Sequence, residues 1–184
     1  NKGRINEFCK KIKPLNLDWE CNLRVNDLDE STLLAMKDSG SYMVSFGFES
    51  ASPTVLKSMK KGITVEKIEN AISFARKAKL TIQANFIFGD PCETFETAKE
   101  TMRFARKHKF YRYGLITPFP GTALYRDLIA KNKITNLNKF FETGRDENGN
   151  RFNMTSLTDK EFKFLTQMVH WEVKKNQLYG RVVR

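Results

Sequence analysis

Few side chains in this sequence could carry covalent chemistry. The thiols and imidazoles are Cys9, Cys21, Cys92, His108 and His170. The gaps between the cysteines are too wide for a C-x-x-C metal site, and the two histidines lie far apart. Cys92 stands near a predicted helix start, where a thiol's pKa falls. Its nearest imidazole, His108, is about 24 Å further along the same helix at 1.5 Å per residue. No nucleophile–base dyad forms there, and Cys92 reads as a small loop residue. More informative are four short segments that mix polar groups with Gly or Pro: Leu23-Arg24-Val25-Asn26, Gly47-Phe48-Glu49-Ser50, Phe88-Gly89-Asp90-Pro91 and Thr117-Pro118-Phe119-Pro120-Gly121-Thr122. Such segments bind ligands through carboxylates, hydroxyls and close backbone approach. Each alone also has a structural reading: Gly89 and Gly121 suit tight turns, and Glu49 suits a helix cap.

The elements that position these segments follow from hydrophobic periodicity. Residues 18–25 alternate as a strand, and 28–39 read as a helix with Leu33, Leu34 and Met36 apolar and Gly40 beyond its end. Residues 42–48 and 81–88 are mainly apolar runs suited to buried strands, and 113–117 form a shorter one. Ser52-Pro53 fits the cap and first turn of a short helix ending before Gly62. Helices are predicted over 64–79, 93–108 and 122–131, the first with Ile68, Ala71, Ile72 and Ala75 on one face. Strands alternating with helices indicate βα units and a parallel sheet. In such folds ligands bind at the C-terminal ends of the strands, where all four segments fall. Phe46, Phe86 and Phe88 lie within strands and read as core rather than as a nucleic-acid stacking surface. Residues 132–157 break the pattern, with a turn signal at Asp146-Glu147-Asn148-Gly149-Asn150 that lacks the Gly and distal Glu of a calcium loop. A last helix begins at Thr158, with Glu161 completing a capping box, and runs to about 178.

Taken together and in order, these motifs resemble the radical S-adenosylmethionine (SAM) superfamily. Gly47-Phe48-Glu49-Ser50-Ala51-Ser52, followed by Val55-Leu56 and Met59-Lys60-Lys61-Gly62, is similar to the family's G-I-E-S-G-S … V-L … M-x-K-G stretch. Asn85 to Thr94 resembles G-x-I-x-G-x-P-G-E-T, and Leu115 to Tyr125 resembles T-P-x-P-G-T-x-L-Y. Upstream, Cys21 to Val25 resembles C-x-x-R-V. The resemblance spans about residues 18–180 and is nearest the branch of cobalamin-binding members and methylthiotransferases.

This resemblance implies an α/β fold: the C-terminal portion of a partial (βα)6 TIM-like barrel with parallel strands. Residues 1–131 would hold strands three to six, and 132–184 a C-terminal extension with a loop and helix. It implies SAM, a [4Fe–4S] cluster and, by its branch, cobalamin as cofactors. SAM contacts would fall on Glu49 and Ser50, on Asn85, Ile87 and Gly89 beside adenine, on Thr117 and Pro118 at its border, and on Arg24 against the carboxylate. The family's C-x-x-x-C-x-x-C cluster motif is absent from this sequence. Two departures stand out. Asn85 and Cys92 replace family glycines, the first where the backbone approaches adenine.

The first residue is Asn1, in what reads as the middle of a helix. The expectation is a fragment of a longer enzyme that would cleave SAM to a 5′-deoxyadenosyl radical, itself inactive without the cluster ligands. The alternative is a non-catalytic binding or scaffold module on the same fold; a self-contained hydrolase or transferase lacks a nucleophile–base pair. The sheet edge left by missing strands would favour self-association. A chain of 184 residues, 40% hydrophobic and 29% charged, is a globular balance of one-domain size. Sparse cysteines fit a reducing, cytoplasmic compartment. No stretch approaches the roughly 18 apolar residues of a membrane span. The net charge of +11 fits either a solvated surface or an anionic partner, so the substrate is left between a small molecule and RNA.

Overall fold

The computed structural model describes residues 2–146 and 148–182. Four strands, β1 (Trp19–Leu23), β2 (Ser41–Glu49), β3 (Thr81–Phe88) and β4 (Arg112–Leu115), form one sheet in sequence order, every pair parallel. Helices α1 (Lys2–Ile12), α2 (Glu30–Asp38), α3 (Pro53–Ser58), α4 (Val65–Lys77), α5 (Phe95–His108), α6 (Ala123–Ala130), α7 (Leu137–Thr143) and α8 (Asp159–Val182) complete the described chain. Sequential parallel order is what βα units give when every crossover has the same hand. The fold is the barrel-type α/β architecture expected above. No helix among the described residues is long and apolar enough to cross a membrane.

The core lies on one side of the sheet. Val44, Phe46 and Phe48 of β2 and Ala84, Phe86 and Phe88 of β3 are buried against Leu33 and Met36 of α2, Ile68, Ala71, Ile72 and Ala75 of α4, and Ala98, Met102 and Ala105 of α5. The rings interlock: Phe46 stacks on Phe48 at 5.3 Å, and Tyr113 of β4 meets Phe88 edge-on at 5.5 Å. Offset and edge-on packing of this kind adds to the area term. The three phenylalanines predicted as core are all buried.

The other face is different. Residues of opposite parity are Glu20 and Asn22 on β1, Met43, Ser45 and Gly47 on β2, Thr81, Gln83, Asn85 and Ile87 on β3, and Arg112 and Gly114 on β4. Only Ser45 among them is buried, beneath the amides of Gln83 and Asn85 that donate to its hydroxyl at 3.1 and 3.2 Å. Parallel sheets normally bury both faces. This one leaves a polar, open face, as a barrel wall does toward its lumen.

Local signals mostly match the sequence. Asp29 caps α2 by accepting from the Thr32 amide, Thr64 caps α4 from Lys67, and Thr158 and Glu161 form the expected reciprocal pair at 2.8 and 3.3 Å. Three details differ. Ser52 sits at the N-cap of α3 without capping it through its side chain; its own amide donates to Ser50 Oγ. Helix α5 starts after Thr94, whose side chain caps Thr97, rather than at Glu93. The irregular stretch contains α7, capped by Asn136 and anchored by buried Phe140 in a small cluster with Leu128, Ile134 and Phe152. The turn at 146–150 is formed by Asp146, which accepts from the amides of Asn148 and Asn150; Glu147 lies outside the described residues.

Helix α8 joins the main core through Phe162, Leu165 and Val169, and Arg106 of α5 forks onto Glu172 at 3.1 and 2.7 Å. Leu165 is fully buried. Leu165→Ala should therefore lower unfolding free energy by about 2–5 kcal/mol in urea titration, the range for cavity-forming truncations. A loss below about 1 kcal/mol, the level of surface substitutions, would show that α8 rides on the core without being part of it.

Candidate functional site

The strand ends carry an organised constellation. Beyond Gly47 the β2–β3 pairing slips, so that Glu49 rather than Phe48 lies opposite Phe86. Glu49 has φ 65°, a left-handed conformation that costs an L-residue roughly 1–2 kcal/mol. Bulges of this kind re-aim side chains at strand ends. Here the carboxylate folds back over Gly47: a Cβ on that glycine would lie 2.5 Å from Glu49 Oε1. Glu49 Oε1 accepts from Lys61 Nζ at 3.1 Å, in a pair that is largely covered. Glu49 Oε2 is buried and has no hydrogen-bond partner among the described residues. Leaving a buried acceptor unmade costs about 1–3 kcal/mol, so this oxygen is an unused docking point for a donor.

Lys61 is held by the turn after α3, where its amide donates to the Leu56 carbonyl. Asn26, past β1, ties the same turn down: its Nδ2 donates to the Gly62 carbonyl at 3.0 Å and its Oδ1 accepts from Lys67 at 3.0 Å. Arg24 is exposed between β1 and Asn26 and makes no ion pair with a described residue.

The loop after β3 is braced from beneath. Gly89 has φ 102°, and its amide donates to Glu93 Oε2 at 3.1 Å. Glu93 Oε1 accepts from the Thr97 hydroxyl at 2.9 Å. Glu93 is fully buried, and burial pushes its carboxyl above its ordinary pKa, while the Thr97 and Gly89 bonds pull the other way. Asp90 is also buried and accepts from the Cys92 amide. Cys92 is exposed. Thr117 and Pro118 follow β4; Pro118 is buried, and Thr117 faces Gly144, where a Cβ would come within 3.6 Å of its methyl group.

Of the residues read from the sequence, the structure brings Glu49, Asn85 and Ile87 onto or over the open face, with Gly89 at its rim. Arg24 stands at the β1 end of that rim, and Thr117 and Pro118 at the β4 end. Ser50 is turned away: it is buried, and its hydroxyl pairs with Thr101 of α5 at 2.8 Å and accepts from the Ser52 amide at 3.0 Å. Four contributors were not singled out from sequence. Lys61 belonged to a matched motif without a role, and Glu93 likewise. Ser45 and Gln83 carry a readable signal, since they are the polar members of their strands' alternation.

This arrangement has known counterparts. Residues 2–105 match the family described as the radical SAM superfamily, more than half of the chain. The chain belongs to that superfamily. It is 38% identical over 142 residues to an uncharacterized methyltransferase of Pyrococcus horikoshii, covering 75% of this chain and 31% of that protein. It is 32% identical over 140 residues to the bacteriochlorophyllide d C-8(2)-methyltransferase of Chlorobaculum tepidum, covering 73% of this chain and 31% of that one. The chain thus spans about a third of the length of these curated relatives. Its fold superposes on the radical SAM methyltransferase TsrM of Kitasatospora setae, a structure with cobalamin and a [4Fe–4S] cluster bound. That TM-score is 0.60 at 21% identity, over 71% of this chain and 26% of that one.

Membership implies SAM and a [4Fe–4S] cluster, and the residues fit them differently. Cluster ligation in this family needs three converging thiolates. Cys9 is buried in α1, Cys21 lies within β1, and Cys92 is beyond β3; no group of three His, Cys, Asp or Glu among the described residues is placed to hold a metal. The cluster does not fit these residues. A SAM-like ligand does fit, because the unpartnered Glu49 oxygen asks for a hydroxyl or ammonium donor at the strand ends.

The Glu93 brace has a pH signature. Its folded pKa is raised, so its contribution to stability is full below the unfolded pKa and lost as pH rises through the folded value. Glu93→Gln keeps both bonds, the amide oxygen accepting from Gly89 and the amide nitrogen donating to Thr97. Thermal unfolding between about pH 4 and 8, the span around an ordinary Glu pKa, should show the wild type losing ground to the variant as pH rises. Parallel pH profiles would refute the raised pKa.

Proposed function

We propose that this chain forms one wall of the SAM pocket in a radical SAM enzyme that methylates a small molecule, with the cluster ligands supplied from outside these residues. The observation that carries the reading is the buried, unpartnered Oε2 of Glu49 at the end of β2, on a carboxylate whose Oε1 lies over Gly47 and pairs with Lys61. Support for the reaction class comes from the methyltransferases among the relatives. The cobalamin-bound neighbour supports cobalamin as an additional cofactor. When bound, SAM supplies the 5′-deoxyadenosyl radical or the methyl group; the protein's share is placement and exclusion of water.

Each residue's part follows from its position. Glu49 accepts hydrogen bonds from the ribose hydroxyls or the ammonium, and Lys61 keeps that carboxylate aimed. Ile87 presents an apolar flank to adenine, while Asn85, tied to Ser45, fixes the polar floor beside it. The Gly89 loop, braced by Glu93, limits how far the ligand travels past β3. Thr117 and Pro118 close the β4 side, and Arg24 pairs with the amino-acid carboxylate.

Calorimetric titration of SAM, without reductant, into the full-length protein that carries this chain tests the assignment. Glu49→Gln should weaken binding about tenfold, the value of one charge-assisted hydrogen bond. Gly47→Ala should weaken it similarly at unchanged melting temperature, because the new Cβ displaces only the flexible end of Glu49. Unaltered affinity in both variants would remove Glu49 from the SAM site. If no C-x-x-x-C-x-x-C motif lies in the reading frame upstream of Asn1, the chain is a binding or scaffold module and the radical reading fails.

A further inference from the structure

A cleft of about 780 Å³ lies not at the strand-end rim but beside it, between Arg145, Asp146 and residues 149–153 on one side and the first half of α8 on the other. Its volume is that of a small-molecule site. Five cations line it: Lys133, Arg145, Arg151, Lys160 and Lys163. None of the five forms an ion pair with a described residue. Some cations elsewhere are partnered, as in Lys61–Glu49, Arg106–Glu172 and Lys77–Glu30, while others, such as Arg24, pair with no described residue; what sets these five apart is that they line one cleft.

The two acids of the cleft, Asp146 and Asp159, form no ion pair with these five cations, which outnumber them. Asp146 accepts from the amides of Asn148 and Asn150 and closes its own turn. Asp159 accepts from Asn153 Nδ2 at 3.0 Å. Arg151 is half-buried and makes no hydrogen bond to a described residue; burial, then the charge of Arg145, pull its pKa down. Two like charges converging in a partly dry cleft are stable when an anion sits between them. Buried Phe152 and Phe162 also line the cleft, so its walls are flat and apolar as well as charged. Phe162 further ties the cleft to the strand ends, since a Cβ on Gly89 would lie 3.7 Å from its ring.

We propose that this cleft is a binding site for the oxyanion group, carboxylate or phosphate, of a small molecule with a flat apolar body, held by Arg151 and Lys163 beside the end of β3. A small molecule is favoured over a nucleic acid because the charges line a cleft rather than an extended stripe, and aromatic side chains lie within it. The site would anchor the acidic tail of a substrate while its body lies toward the rim. Binding itself does not depend on the SAM assignment.

The test is titration of the chain with naphthalene-2,6-dicarboxylate, with its uncharged dimethyl ester and inorganic pyrophosphate in parallel. The dicarboxylate should bind, its affinity falling as salt rises, and the ester should bind at least about tenfold more weakly. Arg151→Gln should weaken the dicarboxylate about tenfold, and Lys163→Gln, on the exposed side of α8, should do so without disturbing the fold. Arg103→Gln, an exposed cation of α5, should change nothing. Pyrophosphate binding that Arg151→Gln abolishes marks a phosphate-bearing ligand, and its absence beside dicarboxylate binding marks a carboxylate. Failure of both anions to bind overturns the proposal, as does binding indifferent to Arg151→Gln and Lys163→Gln. A preference for RNA that rises with oligonucleotide length, without dicarboxylate binding, overturns it in favour of a nucleic-acid surface. SAM titration reads Glu49 separately, so either assignment can fail while the other stands.

Discussion

The packing of Phe46, Phe48, Phe86 and Phe88 against the helices is the constraint on which the rest of the molecule depends. These rings anchor β2 and β3 at the centre of the sheet and set which parity of each strand points inward. A slip of one residue would exchange the faces and turn Ser45, Gln83 and Asn85 into the helix-side core. With the parity set, the polar positions must face the other way. The shift in pairing past Gly47 and the left-handed Glu49 then place the Glu49 carboxylate over that face without drawing Phe48 out of the core.

The charges around the strand ends follow a division of labour. Buried polar groups that brace the strand-end loops find internal partners: Ser50 in Thr101, Glu93 in Gly89 and Thr97. Those braces hold the loops in place, with each named side-chain oxygen partnered. Glu49 keeps one oxygen unmade although its partner Lys61 is close. An unmet acceptor beside satisfied neighbours is a local cost that a folded chain retains where a ligand relieves it. The C-terminal segment adds the opposite sign, with a set of cations that form no ion pair with a described residue brought next to the rim by Phe162.

Much of this was readable in advance. The βα alternation, the aromatic core and the Thr158–Glu161 cap rest on periodicity and local chemistry, which act over a few residues and leave strong marks. The ordered motifs fall where the structure has the end of β2, at Glu49, and the second half of β3, from Asn85 to Gly89. What escaped depends on contacts between distant segments. Helix α7 is only seven residues long, and its one buried residue, Phe140, meets Leu128 and Phe152 from outside the helix. Ser50 looks like a ligand contact beside Glu49, but Thr101, fifty-one positions away, claims its hydroxyl. The alternation of Phe46 to Glu49 is regular, so nothing in it announces the shift in pairing. Nor does the polar run 145–153 reveal that it faces α8 across a cleft.

The one-sidedness of the sheet has a consequence for how such a chain can change over time. Folding draws on the helix-side face, whereas Asn22, Gln83, Asn85 and Arg112 on the other side contribute little buried area. Substitutions there alter what the wall recognises at small cost in stability. One scaffold can thus pass between ligands by rewriting four strands at alternate positions, while its interior stays under strict selection. Asn85 illustrates the point: its amide lies on the open side, where Ser45 on the neighbouring strand accepts from it.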